Sequence, residues 1–290
     1  MTDFVVDANS LFARAFFAVN GPNPDASVEE ALEAAVQSTL FTLGNLGEPA
    51  DRALFCFDGK AKKDKGRGPK PANFETCLHR FKDLIPTITG TEPVLLAGFE
   101  ADDVVATATY ASTADRIYVV SGDKDLHQLQ SDNTSIYDLN TKGVLSRHAI
   151  LSRWSVKRPS QSAIALAILG DPRDNIQGLK GWGKKKVETL FERVTPEMAF
   201  EEALNTIESQ IPERLRPSFY ESLSLTLLNV SIEGVPAPSP IKLCEMDTLF
   251  ELGFGSLEPT WNRLAGAEGR ERLSSRREGS ASSLIDRLGL

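Results

Sequence analysis

The chain has 290 residues, 41% of them hydrophobic and 25% charged, with a formal net charge of −8. This is globular composition, which excludes bulk disorder and leaves room for one or two domains with a sizeable core. The acid excess excludes a generally basic nucleic-acid coat, though not a local basic patch.

The N-terminus, MTDFVVDANS, carries an acid at position 3 and only three consecutive apolar residues, so no secretory signal is expected. The first strand signal is Phe4–Val6. A helix follows from Ser27, where Val28, Leu32, Val36, Leu40 and Leu43 recur at three- and four-residue spacing and Ser27 with Glu30 makes a capping box. Further strand signals lie at Ala53–Phe57, Val94–Leu96 and Ile117–Val120, with a helix from about Glu100 to Ala111 between the last two. Strands alternating with helices predict an α/β fold with a parallel sheet covered on both faces. From Ser160 to Asn229 the pattern is helical, with Pro159, Pro196, Pro212 and Pro217 as breaks. GVPAPSP (234–240) reads as a connector, 241–262 as one more helical element, and the tail from Ala265 as mobile up to a short apolar end, Leu284 to Leu290. No internal repeat is visible. The longest apolar run, Ala163 to Leu169, is too short for a membrane span.

Cys56, Cys77 and Cys244 are odd in number and in no CxxC spacing, so neither a disulfide framework nor a zinc site is read from them; they suit reduced, cytoplasmic core thiols. His79, His127 and His148 share no pattern and no GxSxG occurs, so covalent catalysis is unsupported.

The informative feature is where the acids sit. Asp7 follows the strand FVV, and Asp58 follows ALFCF. Glu100, Asp102 and Asp103 follow PVLLAGF, and Asp123 and Asp125 follow IYVVSG. In a parallel α/β sheet the carboxyl ends of the strands converge on one crevice. Four strands therefore deliver seven acids to one place, and Asp171 and Asp174 of GDPRDN, after a later apolar helix, make nine. Taken alone, each acid reads as a turn former or helix cap; four strand ends all carrying acids are hard to explain that way. Unpaired carboxylates at short range raise one another's pKa steeply. Bound divalent cations relieve this, and oxygen-only donors favour Mg²⁺ or Mn²⁺ over Zn²⁺. So many acids suit two ions about 3.5–4 Å apart, the arrangement used for phosphodiester displacement.

Two basic features accompany the acids. In IQGLKGWGKKK (176–186), Gly178, Gly181 and Gly183 precede a helix beginning at Lys184, and Lys180, Lys184, Lys185 and Lys186 add charge. Glycines beside a helix N-terminus let a phosphate backbone approach, with sequence-independent, salt-sensitive binding. Residues 59–82 hold eight Lys and Arg against two acids, including Lys63, Arg67 and Lys70, directly after Asp58. That placement suggests a basic funnel for single-stranded nucleic acid.

Together, VVDANSLFARAFFA, FCFDG, GFEADDVVA, VVSGDKDLHQL and LGDPRDNIQGLKGWGKKK resemble the 5′ nuclease (flap endonuclease) family, strongly over residues 3–193 and more weakly to about 262. The resemblance extends to the 5′→3′ exonuclease domain of bacterial DNA polymerase I and to free-standing phage and bacterial 5′ nucleases; the chain is expected to be of the free-standing kind. It implies a PIN-like catalytic domain (1–159) with a basic arch, a helix–hairpin–helix domain with a C-terminal helical segment (160–262), and a flexible tail (263–290). It also implies Mg²⁺-dependent hydrolysis of DNA at 5′ ends, flaps and duplex junctions, and of RNA in RNA–DNA hybrids, by a monomer. By motif match, Asp7, Asp58, Glu100 and Asp102 resemble ligands of one metal ion and Asp123, Asp125, Asp171 and Asp174 those of a second, with Asp103 a further acid. Arg14 matches a residue that contacts the scissile phosphate, Lys70 the arch lysine that stabilises the transition state, and Gly178 to Gly183 a duplex-gripping hairpin that often holds K⁺. The usual aromatic before the arch lysine and Arg three residues after it are Pro69 and Asn73 here. Two other classes stay open on the residues alone: a PIN-type ribonuclease and a catalytically silent duplex-DNA-binding factor. The tail, with Arg276 and Arg277, is a candidate for docking a replication partner.

Overall fold

The computed structural model describes residues 1–21, 27–44, 50–59, 71 and 73–273. In chain order the elements are β1 (Thr2–Asp7), α1 (Ala8–Asn20), α2 (Val28–Gly44), β2 (Arg52–Phe57), α3 (Phe74–Thr89), β3 (Pro93–Leu95), α4 (Ala101–Ala111), β4 (Arg116–Ser121), β5 (Thr134–Asp138), β6 (Gly143–Val144), α5 (Arg147–Trp154), α6 (Ser162–Leu169), α7 (Lys184–Phe191), α8 (Phe200–Glu208), α9 (Arg216–Thr226), β7 (Ser239–Pro240), α10 (Met246–Glu251) and α11 (Glu258–Leu273).

The sheet runs β3-β2-β1-β4-β5-β6, with β7 against the start of β2. β1 to β5 are parallel, whereas β6 and β7 are antiparallel additions. The chain moves outward from β1 through β2 to β3, then returns to place β4 on the other side of β1. That reversal is a topological switch point, the position where α/β sheets open a crevice at the strands' carboxyl ends.

Side chains alternate across the sheet. Phe4, Val6, Phe55, Phe57, Tyr118 and Val120 enter one core; Val5, Leu54, Cys56, Ile117 and Val119 enter the other. Burial on both faces is why FVV and ALFCF are continuous apolar runs rather than alternating ones. α1, α2 and α3 cover the first face, where Phe12 and Phe81 stack at 5.6 Å. The expected α2 forms, and Ser27 Oγ accepts from the Glu30 backbone N–H at 3.2 Å as one arm of a cap.

The C-terminal segment returns to this first face. Met246, Leu249, Leu257 and Trp261 join its core, and Trp261 Nε1 donates to the Cys244 carbonyl at 2.9 Å. The single helical element expected over 241–262 is two helices, α10 and α11, separated at Gly253, whose φ of 81° ends the first. α11 continues to Leu273, so the tail expected to be mobile from 265 is helical that far; Arg276, Arg277 and the apolar end lie outside the described residues. The second face is covered by α4 and the helices from α5 to α9, through Val104, Val105, Ile164, Ile168, Phe191 and Phe219. One continuous core therefore spans residue 159. All three cysteines are free, with Cys56 and Cys77 buried and Cys244 half-buried. His127 is a satisfied core residue, accepting from Trp154 Nε1 at 3.1 Å, while His79 and His148 are exposed.

At the opposite end of the sheet from the crevice, fully buried Asp3 is held bidentate by Arg52 at 2.7 and 2.8 Å and by Ser112 Oγ at 2.6 Å. Removing one partner of a buried pair strands the other. Arg52→Met is expected to cost about 3 kcal/mol, read as a lowered urea midpoint at unchanged m-value; a loss below about 0.5 kcal/mol would contradict this.

Candidate active site

The carboxyl ends of the parallel strands open into a cleft of about 850 Å³. Asp7, Asp58, Glu100, Asp102, Asp123, Asp171 and Asp174 line it, together with Asn9, Ser10, Lys124, Asn140, Arg153, Arg173 and an aromatic side of Phe17 and Phe74. Local structure fixes the acids. Asp7 ends β1 and caps α1, its Oδ1 accepting from Ser10 N at 2.9 Å, while Oδ2 accepts from Ser121 Oγ at 2.7 Å. Ser121 Oγ in turn accepts from Asp123 N at 2.9 Å, so β1 and β4 are tied across the switch point. Asp58 follows β2; its Oδ1 accepts from Ala101 N at 2.8 Å, capping α4, and its Oδ2 accepts from Asn9 at 2.6 Å. Glu100 and Asp102 stand at the start of α4, and Asp171 and Asp174 on the turn after α6.

Electrostatics bear the mark of this crowding. Burial, opposed by the Ser10 and Ser121 hydrogen bonds and reinforced by Asp58 and Asp123, pushes Asp7 up to about 7. Burial would also raise Asp171, but an ion pair with Lys124 and a hydrogen bond from Arg173 N outweigh it and hold that carboxyl below its usual range. Because the folded pKa of Asp7 lies above its unfolded value, its contribution to stability is full below about pH 4 and is lost as pH rises through about 7. In EDTA the wild-type melting temperature should fall between pH 5.5 and 8, by several degrees more than that of Asp7→Asn. Parallel curves for the two proteins would refute the assignment.

Several residues could not be found from spacing. Asn140, two residues past β5, donates to the Gly122 carbonyl at 2.9 Å and accepts from Arg14 at 2.8 Å; Asp138 at the end of β5 fixes it with two 2.9 Å contacts. Arg14 thus sits at the rim rather than in the lining. Lys124, Arg153 and Arg173 are cations within the lining that the acid motifs concealed. Ser10 and Ser121 had a signal, as polar residues abutting acids at strand ends.

Three expected site residues are placed elsewhere. Asp103 lies outside the lining: its Oδ1 accepts from Asn229 N at 2.8 Å, pinning α4 to the helical layer, because successive helical residues face different directions. Asp125 is buried behind Asp123, whose Oδ1 accepts its backbone N–H at 2.9 Å. Gly178 is buried, with φ 65° and its N–H donated to Ser222 Oγ, so it faces the protein rather than a ligand. Lys180, Gly181, Gly183, Lys184 and Lys185 are exposed on the same hairpin. Lys63, Arg67 and Lys70 lie outside the described residues.

The donor set is all oxygen, which fits a hard divalent cation. Among the described residues no three His, Cys, Asp or Glu converge closely enough to hold an ion in this arrangement. Mg²⁺ keeps several of its waters and needs only one or two direct carboxylates, so the lining still suits it.

The family model for the 5′-3′ exonuclease N-terminal, resolvase-like domain matches residues 2–155, more than half of the chain. The chain belongs to the 5′-3′ exonuclease family. It is 30% identical to the thermostable DNA polymerase I of Thermus thermophilus over 233 residues, covering 77% of this chain and 27% of that protein. It is 28% identical to DNA polymerase I of Mycobacterium leprae over 248 residues, 80% of this chain and 27% of the relative. The chain thus spans under a third of the curated relatives it matches. In fold it is similar to the phage T5 5′-exonuclease with bound zinc ions, at a TM-score of 0.56, 17% identity and coverage of 94% and 97% of the two chains. It is also similar to the catalytic core of Rad2 in complex with DNA substrate, at 0.57, 16%, 91% and 90%. The architecture is the PIN-like α/β fold of 5′ nucleases. Among the described residues no helix is long and apolar enough to cross a membrane.

Proposed function

We propose that the chain is a divalent-metal-dependent 5′→3′ exonuclease and structure-specific flap endonuclease that hydrolyses phosphodiester bonds during DNA replication or repair in the cytoplasm. The observation that carries this is the lining of one cleft, at the switch point of a 5′-nuclease fold, by seven carboxylates from different strand ends and one hairpin. Like charges gathered in one cleft are costly without cations, and Asp58 and Asp123 add to the burial that chiefly raises Asp7. A solved neighbour with bound zinc and another in complex with DNA substrate support a metal-loaded, DNA-directed site.

In this reading Asp7, Asp58, Glu100 and Asp102 would hold one ion and Asp123, Asp171 and Asp174 a second, each with one or two direct carboxylates and the rest through the ion's waters, with Asp125 supporting Asp123 from behind. Two Mg²⁺ or Mn²⁺ ions would lower the pKa of the attacking water and stabilise the leaving 3′ oxygen. Arg14, aimed by Asn140 at the rim, offsets charge on the scissile phosphate. Lys180, Lys184 and Lys185, with open backbone at Gly181 and Gly183, present a helix–hairpin–helix face to duplex phosphates, the place where K⁺ would bind. Lys63, Arg67 and Lys70 capture the 5′ strand. The proposed organisation is a catalytic region over 1–159, a duplex-binding region over 160–262 and a tail for a replication partner, acting as a monomer on DNA and on the RNA of hybrids.

The test is cleavage of a labelled 5′ flap, a nicked duplex, an RNA–DNA hybrid and single-stranded RNA, each in Mg²⁺ and in EDTA. Divalent-dependent cleavage of the junction substrates over single-stranded RNA is expected. Preferential cleavage of single-stranded RNA would favour a PIN-type ribonuclease, and tight duplex binding without product a silent binder.

A further inference from the structure

Arg153 is the last residue but one of α5 and lines the cleft, yet neither the acid motifs nor the glycine hairpin accounts for it. Its guanidinium lies over the ring of Trp154, 5.6 Å from the centroid. That ring is a fixed platform. Trp154 is 5% exposed and packs in the second core, and its Nε1 donates to Nδ1 of buried His127 at 3.1 Å. His127 belongs to the short helical turn Asp125–Leu129 that follows Asp123. The stacked arginine is thus tied to the turn beside Asp123, a residue of the same lining.

Stacking engages the flat face of a guanidinium and leaves the N–H donors, which lie in its plane, for another partner. Holding the plane in advance also reduces the conformational entropy lost when a fork of donors meets two oxygens. Phosphate is the ligand chemistry that matches such a fork, and a polyanionic strand entering a cleft of carboxylates is drawn to cations on its walls. Arg14 reaches the rim from α1, which packs on the first face of the sheet, while Arg153 reaches the cleft from the helical layer on the second face. We propose that Arg153 is a phosphate-binding residue: its guanidinium, presented on the Trp154 ring, takes a backbone phosphate of the strand in the cleft from the side opposite Arg14. The inference rests on the nuclease reading above and deepens it by naming a contact to the substrate.

Fluorescence anisotropy of a dye-labelled 5′-flap DNA with the full chain in EDTA, over a range of NaCl, tests this. Arg153→Gln keeps a polar stem and removes the charge. It should weaken binding about tenfold at about 0.1 M salt and lower the slope of log K against log salt by about 1. Arg147→Gln, on the same helix but paired with Asp132 outside the lining, should change affinity by less than about twofold, since salt screens a charge that touches no phosphate. Arg153→Lys keeps the charge and loses the fork, so it should retain the wild-type slope while binding about threefold more weakly. A merely structural role for Arg153 would not split the slope between Gln and Lys in this way. Wild-type affinity and slope in Arg153→Gln, or equal losses in Arg153→Gln and Arg147→Gln, would overturn the proposal. In Mg²⁺, Arg153→Gln should raise the enzyme concentration for half-maximal single-turnover cleavage about tenfold and leave the maximal rate within about threefold; a slower maximal rate at unchanged half-saturation would also overturn it. Wild-type protein that binds the flap without cleaving it would overturn the nuclease reading alone, because the salt slope still decides the Arg153 contact; wild-type protein that binds no DNA would overturn both.

Discussion

Asp123→Asn is expected to abolish cleavage of a 5′ flap, by about 10³-fold or more, while leaving duplex-DNA affinity within a few-fold. The substitution keeps shape and removes charge. Asp123 Oδ1 accepts the Asp125 N–H that starts the turn after β4, and an amide oxygen can still do so, so the fold should survive. What is lost is one anionic oxygen in the lining, and oriented charge at a reacting phosphate accounts for several kcal/mol of barrier. DNA affinity should persist because the cations proposed to meet the backbone, Lys180, Lys184 and Lys185, are exposed on the loop before and at the start of α7 rather than among the acids. Removing a negative charge from the cleft would if anything tighten binding. Single-turnover cleavage and fluorescence anisotropy on the same preparation separate the two effects. A variant with near-wild-type cleavage would remove Asp123 from the machinery.

Gly178→Ala is expected to destabilise the chain by about 3 kcal/mol or more, from two causes that act at once. The residue sits at φ 65°, where an L side chain is strained by about 1–2 kcal/mol. A Cβ there would also lie 2.6 Å from Gly170 N and 2.7 Å from the Leu169 carbonyl carbon, which are backbone atoms that cannot swing away. Gly181→Ala is the control: its φ is 82°, but nothing lies within 4 Å of the added carbon, so only the strain remains. The two substitutions should therefore differ by 2 kcal/mol or so in urea unfolding. Because Asp171 and Asp174 stand on the loop that Gly170 and Gly178 close, the Gly178 variant should also lose cleavage below its unfolding transition. Equal stability of the two variants would mean that the backbone packing at Gly178 is relaxed in solution.

What was legible in the sequence follows from range. β1, β2 and β4 were readable because burial on both sheet faces leaves uninterrupted apolar runs, and the acids at their ends were readable because parallel strands share an exit edge. β5 was not, because Thr134–Asp138 (TSIYD) has only two consecutive apolar residues beside turn formers and its place is set by pairing with β4. The return of Met246 and Trp261 to the first face was also hidden, since a segment's helical period does not say which face it will meet. Within the site, Asp102 and Asp103 are neighbours in sequence and diverge in space; helix geometry alone predicts that one of them turns away, and the structure selects Asp103. Gly178 resembled a ligand-facing glycine because its true neighbour, Gly170, is reached only once the hairpin has closed. Lys124 was hidden for a similar reason: the motif shows the lysine, and only the fold shows Asp171 beside it.

The most direct test of the central claim is to map the product released from a DNA substrate carrying a 5′ flap, labelled at its 5′ end, with Mg²⁺ and then with excess EDTA. A cleft of oxygen ligands at the switch point of a 5′-nuclease fold predicts a labelled product cut at or near the flap junction, formed only with Mg²⁺. Cleavage that persists in EDTA, or no product at any Mg²⁺ concentration from a folded chain that binds the flap, would contradict it.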